Sequence, residues 1–80
     1  MWNIYVLFSE KTGRTYVGCS KNIQARLNRH NSGRVKATRN GCPWRLIYKE
    51  GIGNYSEVRG RERYFKSGAG RRYLAKILSR

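Results

Sequence analysis

At 80 residues the chain is long enough for one domain with a thin core, since a chain of this length hides only about 60–65% of its unfolded surface. Eighteen lysines and arginines against four acids give a net charge of +14, an excess that repels itself in a compact domain and demands a polyanionic partner. Two cysteines are too few for a disulfide framework, the N-terminus lacks the order of a secretion signal, and no apolar run approaches the ~20 residues of a membrane span.

These exclusions lead to the expectation of a soluble, cytoplasmic protein with no membrane partner. Nucleic acid is the first polyanion to consider. An anionic membrane is second, because no long basic amphipathic segment supports it. Together with His30, the only histidine, Cys19 and Cys42 could supply three metal ligands, but their spacing matches no zinc pattern.

In chain order, Trp2 to Phe8 is rich in aromatic and β-branched residues and predicts a strand. Ser9 to Gly13 reads as a turn, and Thr15-Tyr16-Val17 resumes strand character until Gly18, so the opening segment predicts a β-hairpin. Ser20 is a candidate helix cap, and Ile23, Leu27 and His30 follow at helical spacing until Asn31-Ser32-Gly33 ends the helix. Residues 33–43 are basic and poor in apolar side chains, a loop with room for one helical turn. Trp44 to Tyr48 predicts a third strand, and Gly51 to Asn54 a flexible connector. Ser56 is a candidate cap for a second helix carrying Val58, Glu62 and Phe65 on one face. Ser67-Gly68-Ala69-Gly70 breaks that helix, and a last one from about Arg71 presents Leu74, Ile77 and Leu78. The expected fold is α+β, a small three-stranded antiparallel sheet flanked by helices in the order β-β-α-β-α-α, one domain over residues 1–80.

Glu62 is the residue most out of place. It falls on an apolar helical face in a chain with four acids, where a carboxylate is costly unless paired or bound to a cation. Arg59 and Lys66 lie one turn away, so an intrahelical ion pair is the structural explanation. The functional one is a lone carboxylate holding Mg²⁺, which takes few protein ligands and keeps its waters. Arg26 and His30 stand four apart on one helix, and Tyr5 and Tyr16 are each mid-strand; singly, each is an ordinary structural residue.

Read together, the pieces resemble the GIY-YIG nucleases. Asn3-Ile4-Tyr5 precedes Tyr16-Val17-Gly18 as the paired triplets, Arg26-Leu27 and His30 are similar to an R-L-x-x-H pattern, and Glu62 with Lys66 is similar to an E-x-x-x-K pattern. The stretch Arg61 to Leu78, with Phe65-Lys66-Ser67-Gly68, looks like a small stand-alone bacterial branch related to the nuclease domain of the repair protein UvrC. Cys19 stands where UvrC-like domains carry a lysine, and no asparagine follows Asn54.

The resemblance implies hydrolysis of DNA phosphodiester bonds with one divalent metal, Mg²⁺ or Mn²⁺, in DNA repair or recombination. Tyr5 or Tyr16 would activate water, Arg26 would hold the phosphate, Glu62 would hold the metal, and His30 would assist proton transfer. Lys21, Arg29, Arg34, Lys36, Arg39, Lys66, Arg71 and Arg72 are the candidate phosphate contacts, giving affinity without base readout. Structured or branched DNA and a targeting protein partner are the partners implied. The alternatives are a binding module without hydrolysis and an RNA-binding protein, the latter requiring exposed stacking aromatics on the sheet.

Overall fold

Alternation of side chains along the strands decides the layers. In the computed structural model, which describes residues 1–78, strand β1 (Trp2–Ser9) is central. Strand β2 (Arg14–Ser20) pairs antiparallel on one side of it and β3 (Trp44–Ile52) antiparallel on the other. Helix α1 (Ile23–Asn31) follows β2, a short 3-10 turn (Arg39–Gly41) precedes β3, and α2 (Tyr55–Lys66) and α3 (Gly68–Leu78) complete the expected β-β-α-β-α-α order.

The central strand is covered on both faces. Ile4 and Val6 point to one face and pack with Val17, Val58, Phe65 and Leu74 beneath α2 and α3. Tyr5 and Leu7 point to the other and pack with Trp44, Tyr16, Ile23 and Leu27 beneath α1. Ile4 through Leu7 are accordingly no more than 1% exposed, an unbroken buried run instead of a half-buried alternation. A β-bulge in β3 serves this arrangement. Val6 pairs with Tyr48 and Leu7 with Leu46, leaving Ile47 as an extra residue. The insertion lets Ile47 and Tyr48 both pack on the α2/α3 face while Leu46 and Trp44 stay on the α1 face.

Several boundaries differ from the sequence expectation, each for a local polar reason. Strand β2 runs past Gly18 to Ser20, because Cys19 and Ser20 still pair with Ile4 and Asn3. The cap of α1 is Asn22, whose Oδ1 accepts from the Ala25 amide at 3.0 Å; the Ser20 hydroxyl instead accepts from the Asn22 amide. The cap of α2 is Asn54, accepting from the Glu57 amide at 2.9 Å, where Ser56 was expected. Strand β3 continues to Ile52, because Glu50, Gly51 and Ile52 pair with Ile4, Asn3 and Trp2. Helix α3 starts at Gly68, not Arg71, because the Ser67 hydroxyl accepts from the Gly70 amide at 3.2 Å and confines the break to one residue.

The α2–α3 corner depends on Gly70. A Cβ there would stand 2.5 Å from Phe65 Cα and would overlap the Tyr64 carbonyl, so the two backbones could not approach as they do. Gly60, on α2, has open space where its Cβ would be. Gly70→Ala is therefore expected to destabilise the fold by about 1–3 kcal/mol through overpacking, whereas Gly60→Ala is expected to stabilise it by about 0.5–1 kcal/mol through helix propensity. Urea unfolding of the two variants checks the opposite signs.

Candidate active site

Tyr5, at the middle of the buried strand, turns its hydroxyl away from the α2/α3 core and needs a polar partner there. His30, in the last turn of α1 and fully buried, supplies it: Nε2 lies 3.0 Å from Tyr5 Oη. The other ring nitrogen, Nδ1, lies 2.8 Å from Oγ1 of Thr38, also buried. Thr38 is held in turn by the loop after α1, where its carbonyl accepts from Trp44 Nε1 at 2.7 Å. Asn31 clamps the same region by exchanging two hydrogen bonds with the Trp44 backbone. Gly18 makes room for the phenol: a Cβ on residue 18 would fall 2.5 Å from Tyr5 Oη and 2.6 Å from Cζ.

Tyr16, on edge strand β2, packs its ring 4.9 Å from the His30 ring and 6.5 Å from that of Tyr5. It is half-buried, whereas Tyr5 is 1% exposed. Arg26, one helical turn before His30, lies beside both Tyr5 and His30, and its buried Nε has no hydrogen-bond partner. Burial raises the Tyr5 pKa above its ordinary value, with the Arg26 guanidinium opposing the shift. Burial, aided by the Arg26 and Arg29 charges, holds His30 below its ordinary value. The resting pair is thus a neutral phenol on a neutral imidazole.

Glu62 comes from α2, across the β2 edge. Its carboxylate lies 2.9 Å from Lys66 Nζ and 3.6 Å from Arg59 Nε, and it accepts from the Cys19 thiol at 3.3 Å. Both expected ion-pair partners are therefore present. Burial opposes its charge, yet the Lys66 and Cys19 hydrogen bonds and the Arg59 charge prevail, and the Glu62 pKa is lowered. Burial and the adjacent Glu62 carboxylate raise the Cys19 pKa, so the thiol stays protonated as a donor. Lys66 Nζ also lies 6.0 Å from the Tyr16 ring centroid, which links the carboxylate to that phenol. Cys19 packs on the α2/α3 face of the sheet, opposite to Tyr5.

The other three acids are placed elsewhere. Glu50 receives a forked pair of bonds from Arg61 at 2.8 and 3.3 Å, and one from Tyr48 at 2.8 Å. Glu10 meets Arg45 at 3.9 Å on the surface, and Glu57 is exposed in the first turn of α2. An ionised, partly accessible, single carboxylate fits a hard divalent cation that keeps most of its waters, and Glu62 is the residue that could hold one. Among the described residues no cluster of three His, Cys, Asp or Glu side chains exists. Cys42, which the sequence offered with Cys19 and His30 as a ligand, donates to the His30 carbonyl at 3.0 Å instead.

Of the basic residues expected at phosphate, Lys66 and Arg71 line an open groove of about 1180 Å³ together with Tyr16. Arg14 and Arg45 line the same groove, and sequence reasoning missed them. Lys21 lies against Trp2, Arg72 is exposed on α3, and Arg29, Arg34, Lys36 and Arg39 are exposed on α1 and the loop that follows. Thr38 and Cys19 were also missed as site components; a loop threonine and a strand cysteine carry no local signal of their partners.

A three-stranded sheet brings two tyrosines to one face, with an arginine and a histidine from the next helix and a glutamate across its edge, the set of groups that the nuclease resemblance implies. The GIY-YIG catalytic domain family matches residues 1–73, so the chain belongs to that family. A UPF0213 protein of Bacillus licheniformis is 41% identical over 63 residues, covering 78% of this chain and 64% of that relative. The chain thus spans under two thirds of the relative's length. No solved structure gives a significant match. No helix among the described residues is long and apolar enough to cross a membrane.

The depressed His30 pKa is open to direct measurement, because this is the only histidine. Its ring resonances are expected to titrate below the ordinary value of 6.5. The folded chain resists that proton while the unfolded chain accepts it. This contribution to stability is therefore complete above about pH 6.5 and declines as pH falls through the window below it. A midpoint at or above 6.5 in an NMR titration would contradict the assignment.

Proposed function

We propose that the protein is a divalent-metal-dependent endonuclease that hydrolyses DNA phosphodiester bonds at the β2 edge. The observation that carries the reading is the convergence of Tyr16, the Tyr5–His30 pair, Arg26 and the Glu62–Lys66 pair in a chain of net charge +14.

Exposure divides the work between the two phenols. Tyr16 borders the groove and reaches water and substrate, so it is the proton acceptor for the attacking water. Tyr5 is sealed behind it and acts through others. Arg26 can only donate, so the lone pairs of Tyr5 face the guanidinium and the phenolic proton points to His30 Nε2. Nδ1–H then donates to Thr38 Oγ1, which sets the imidazole's tautomer. This arrangement keeps Arg26 positioned while leaving its fork free for two phosphate oxygens. Lys66 and Arg71 extend the cationic surface along the backbone. A cation on Glu62 would neutralise phosphoryl charge and stabilise the leaving oxygen. DNA with branched or single-stranded features, a role in repair or recombination, a targeting protein partner and a cytoplasmic site of action complete the proposal. The two free thiols fit a reducing compartment.

One observation favours the reading as a binding module without hydrolysis: both Glu62 oxygens are already engaged by protein donors. A plasmid-nicking assay with Mg²⁺ or Mn²⁺ against an EDTA control separates the two, and absence of metal-dependent nicking would leave only the binding module. Glu62→Gln is expected to abolish nicking while retaining DNA affinity; cleavage at the parent rate under saturating Mg²⁺ would refute the metal assignment. Arg26→Ala is expected to slow cleavage by about 10²–10³, the usual cost of one preorganised donor to a developing charge.

A further inference from the structure

Tyr55, Arg59, Glu62 and Lys66 recur at three- and four-residue spacing along α2 and form one stripe. Its middle and one end have been accounted for by Glu62 and Lys66. At the other end lies a cluster with no role in the chemistry above. The Tyr55 ring packs 4.9 Å from that of Trp2, at 58°. Lys21 Nζ lies 5.5 Å from the Trp2 ring centroid, and the Arg59 guanidinium 5.8 Å from that of Tyr55. Arg59 also reaches Glu62, at 3.6 Å, so the cluster is contiguous with the carboxylate.

We propose that Trp2 and Tyr55, flanked by Lys21 and Arg59, form a stacking platform for an unpaired nucleobase of the bound DNA strand. This deepens the nuclease reading and rests on it for the identity of the polyanion. Trp2 is half-buried against the sheet core, and the exposed ring of the platform is that of Tyr55, whose exposure structural demand does not explain. Tyr55 is 51% exposed, the most of any aromatic among the described residues. The comparable surface rings, Tyr64 and Tyr73, are 36% and 37% exposed and close around Arg61, which is forked onto Glu50. Theirs is a closed knot that ties α2 to β3. Tyr55 is the first residue of α2, whose capping is done by Asn54; its hydroxyl accepts from Arg59 at 3.1 Å on the surface, a bond that leaves the ring itself without a structural task.

Chemistry selects the occupant. A flat π face beside two cations suits a base with its phosphate attached: the base stacks on the ring and the phosphate meets Lys21 or Arg59. Paired bases inside a duplex present no free face, so the platform rewards single-stranded or splayed DNA. Seven residues separate Tyr55 from Glu62, about 10 Å along the helix axis at ~1.5 Å per residue. A strand still stacked at ~3.4 Å per step crosses that distance in about three nucleotides and a splayed one in fewer, so the stacked base would lie at most a few nucleotides from the scissile bond. The stripe would then give a structure preference to a site whose remaining contacts grip only backbone.

The test is binding in EDTA, which needs no cleavage. Fluorescence anisotropy compares a labelled single-stranded oligonucleotide with a blunt duplex for the unsubstituted protein, Tyr55→Ala and Tyr55→Phe. Tyr55→Ala is expected to weaken single-strand binding by about five- to a hundredfold, the range for loss of one stacked base, and to leave duplex binding within about twofold. Tyr55→Phe, which keeps the ring and loses the hydroxyl, is expected to bind as the parent. In the unsubstituted protein the single strand is expected to quench tryptophan emission. The quenching should vanish in Trp2→Phe, because Trp44, the other tryptophan, is buried. Equal losses on both DNAs, no loss for Tyr55→Ala, a Tyr55→Phe as weak as the alanine variant, or quenching that survives in Trp2→Phe would each overturn the platform. Failure of the parent protein to nick DNA in Mg²⁺ would sink the nuclease proposal alone.

Discussion

The buried imidazole of His30 ties helix α1 to the two strands and the loop that surround the tyrosines. Its ring holds the central strand through Tyr5, the long loop through Thr38, and the edge strand by packing on Tyr16. Each neutral hydrogen bond contributes only about 1 kcal/mol net, but losing the ring would orphan two buried hydroxyls at about 1–3 kcal/mol each. The joint is therefore weak as an attraction and strong as a constraint. With Tyr5 in this rotamer and Gly18 beneath it, Arg26 lies beside the phenol with its buried Nε still without a partner.

Charge economy completes what the imidazole begins. With eighteen basic residues and four acids, most cations have no carboxylate to meet. Glu50 is committed to locking β3 onto α2, and its pKa is lowered chiefly by the Arg61 bond. The hydroxyl of Tyr48, half-buried and donating to it, is pushed up to about 12 by partial burial and the Glu50 carboxylate. Glu62 is held by weaker, more exposed partners, Arg59 and Lys66, which water and salt screen.

The position of the site also follows from the sheet. Strand β2 is an edge, and an uncovered edge invites unwanted pairing. Here both sides of that edge carry candidate site residues: Tyr16 and the His30 assembly on the α1 side, Cys19 and Glu62 on the α2 side. The strand is short, at seven residues, and is bordered by Arg14 and Lys21, which blunt it against another strand while favouring phosphate.

Local pattern alone determined much of this protein. The two triplets, the Arg26–His30 spacing and the misplaced Glu62 were legible because strand and helix periodicities place residues on faces without knowledge of partners. The α+β order followed from the same patterns, and the family from the resemblance of the motifs to those of the GIY-YIG nucleases. Caps and strand ends were less legible, since Ser20, Asn22, Asn54 and Ser56 are all competent caps and only backbone geometry chooses among them. What the tertiary structure alone decided are contacts between residues far apart in sequence. Tyr5 meets His30 across 25 positions, Cys19 meets Glu62 across 43, and Trp2 meets Tyr55. The bulge at Ile47 belongs with them, because one inserted residue reassigns the faces of a strand that reads as uniform. Periodicity fixes which way a side chain points from its own element; which group it meets depends on how sheet and helices close over one another, and no local spacing records that.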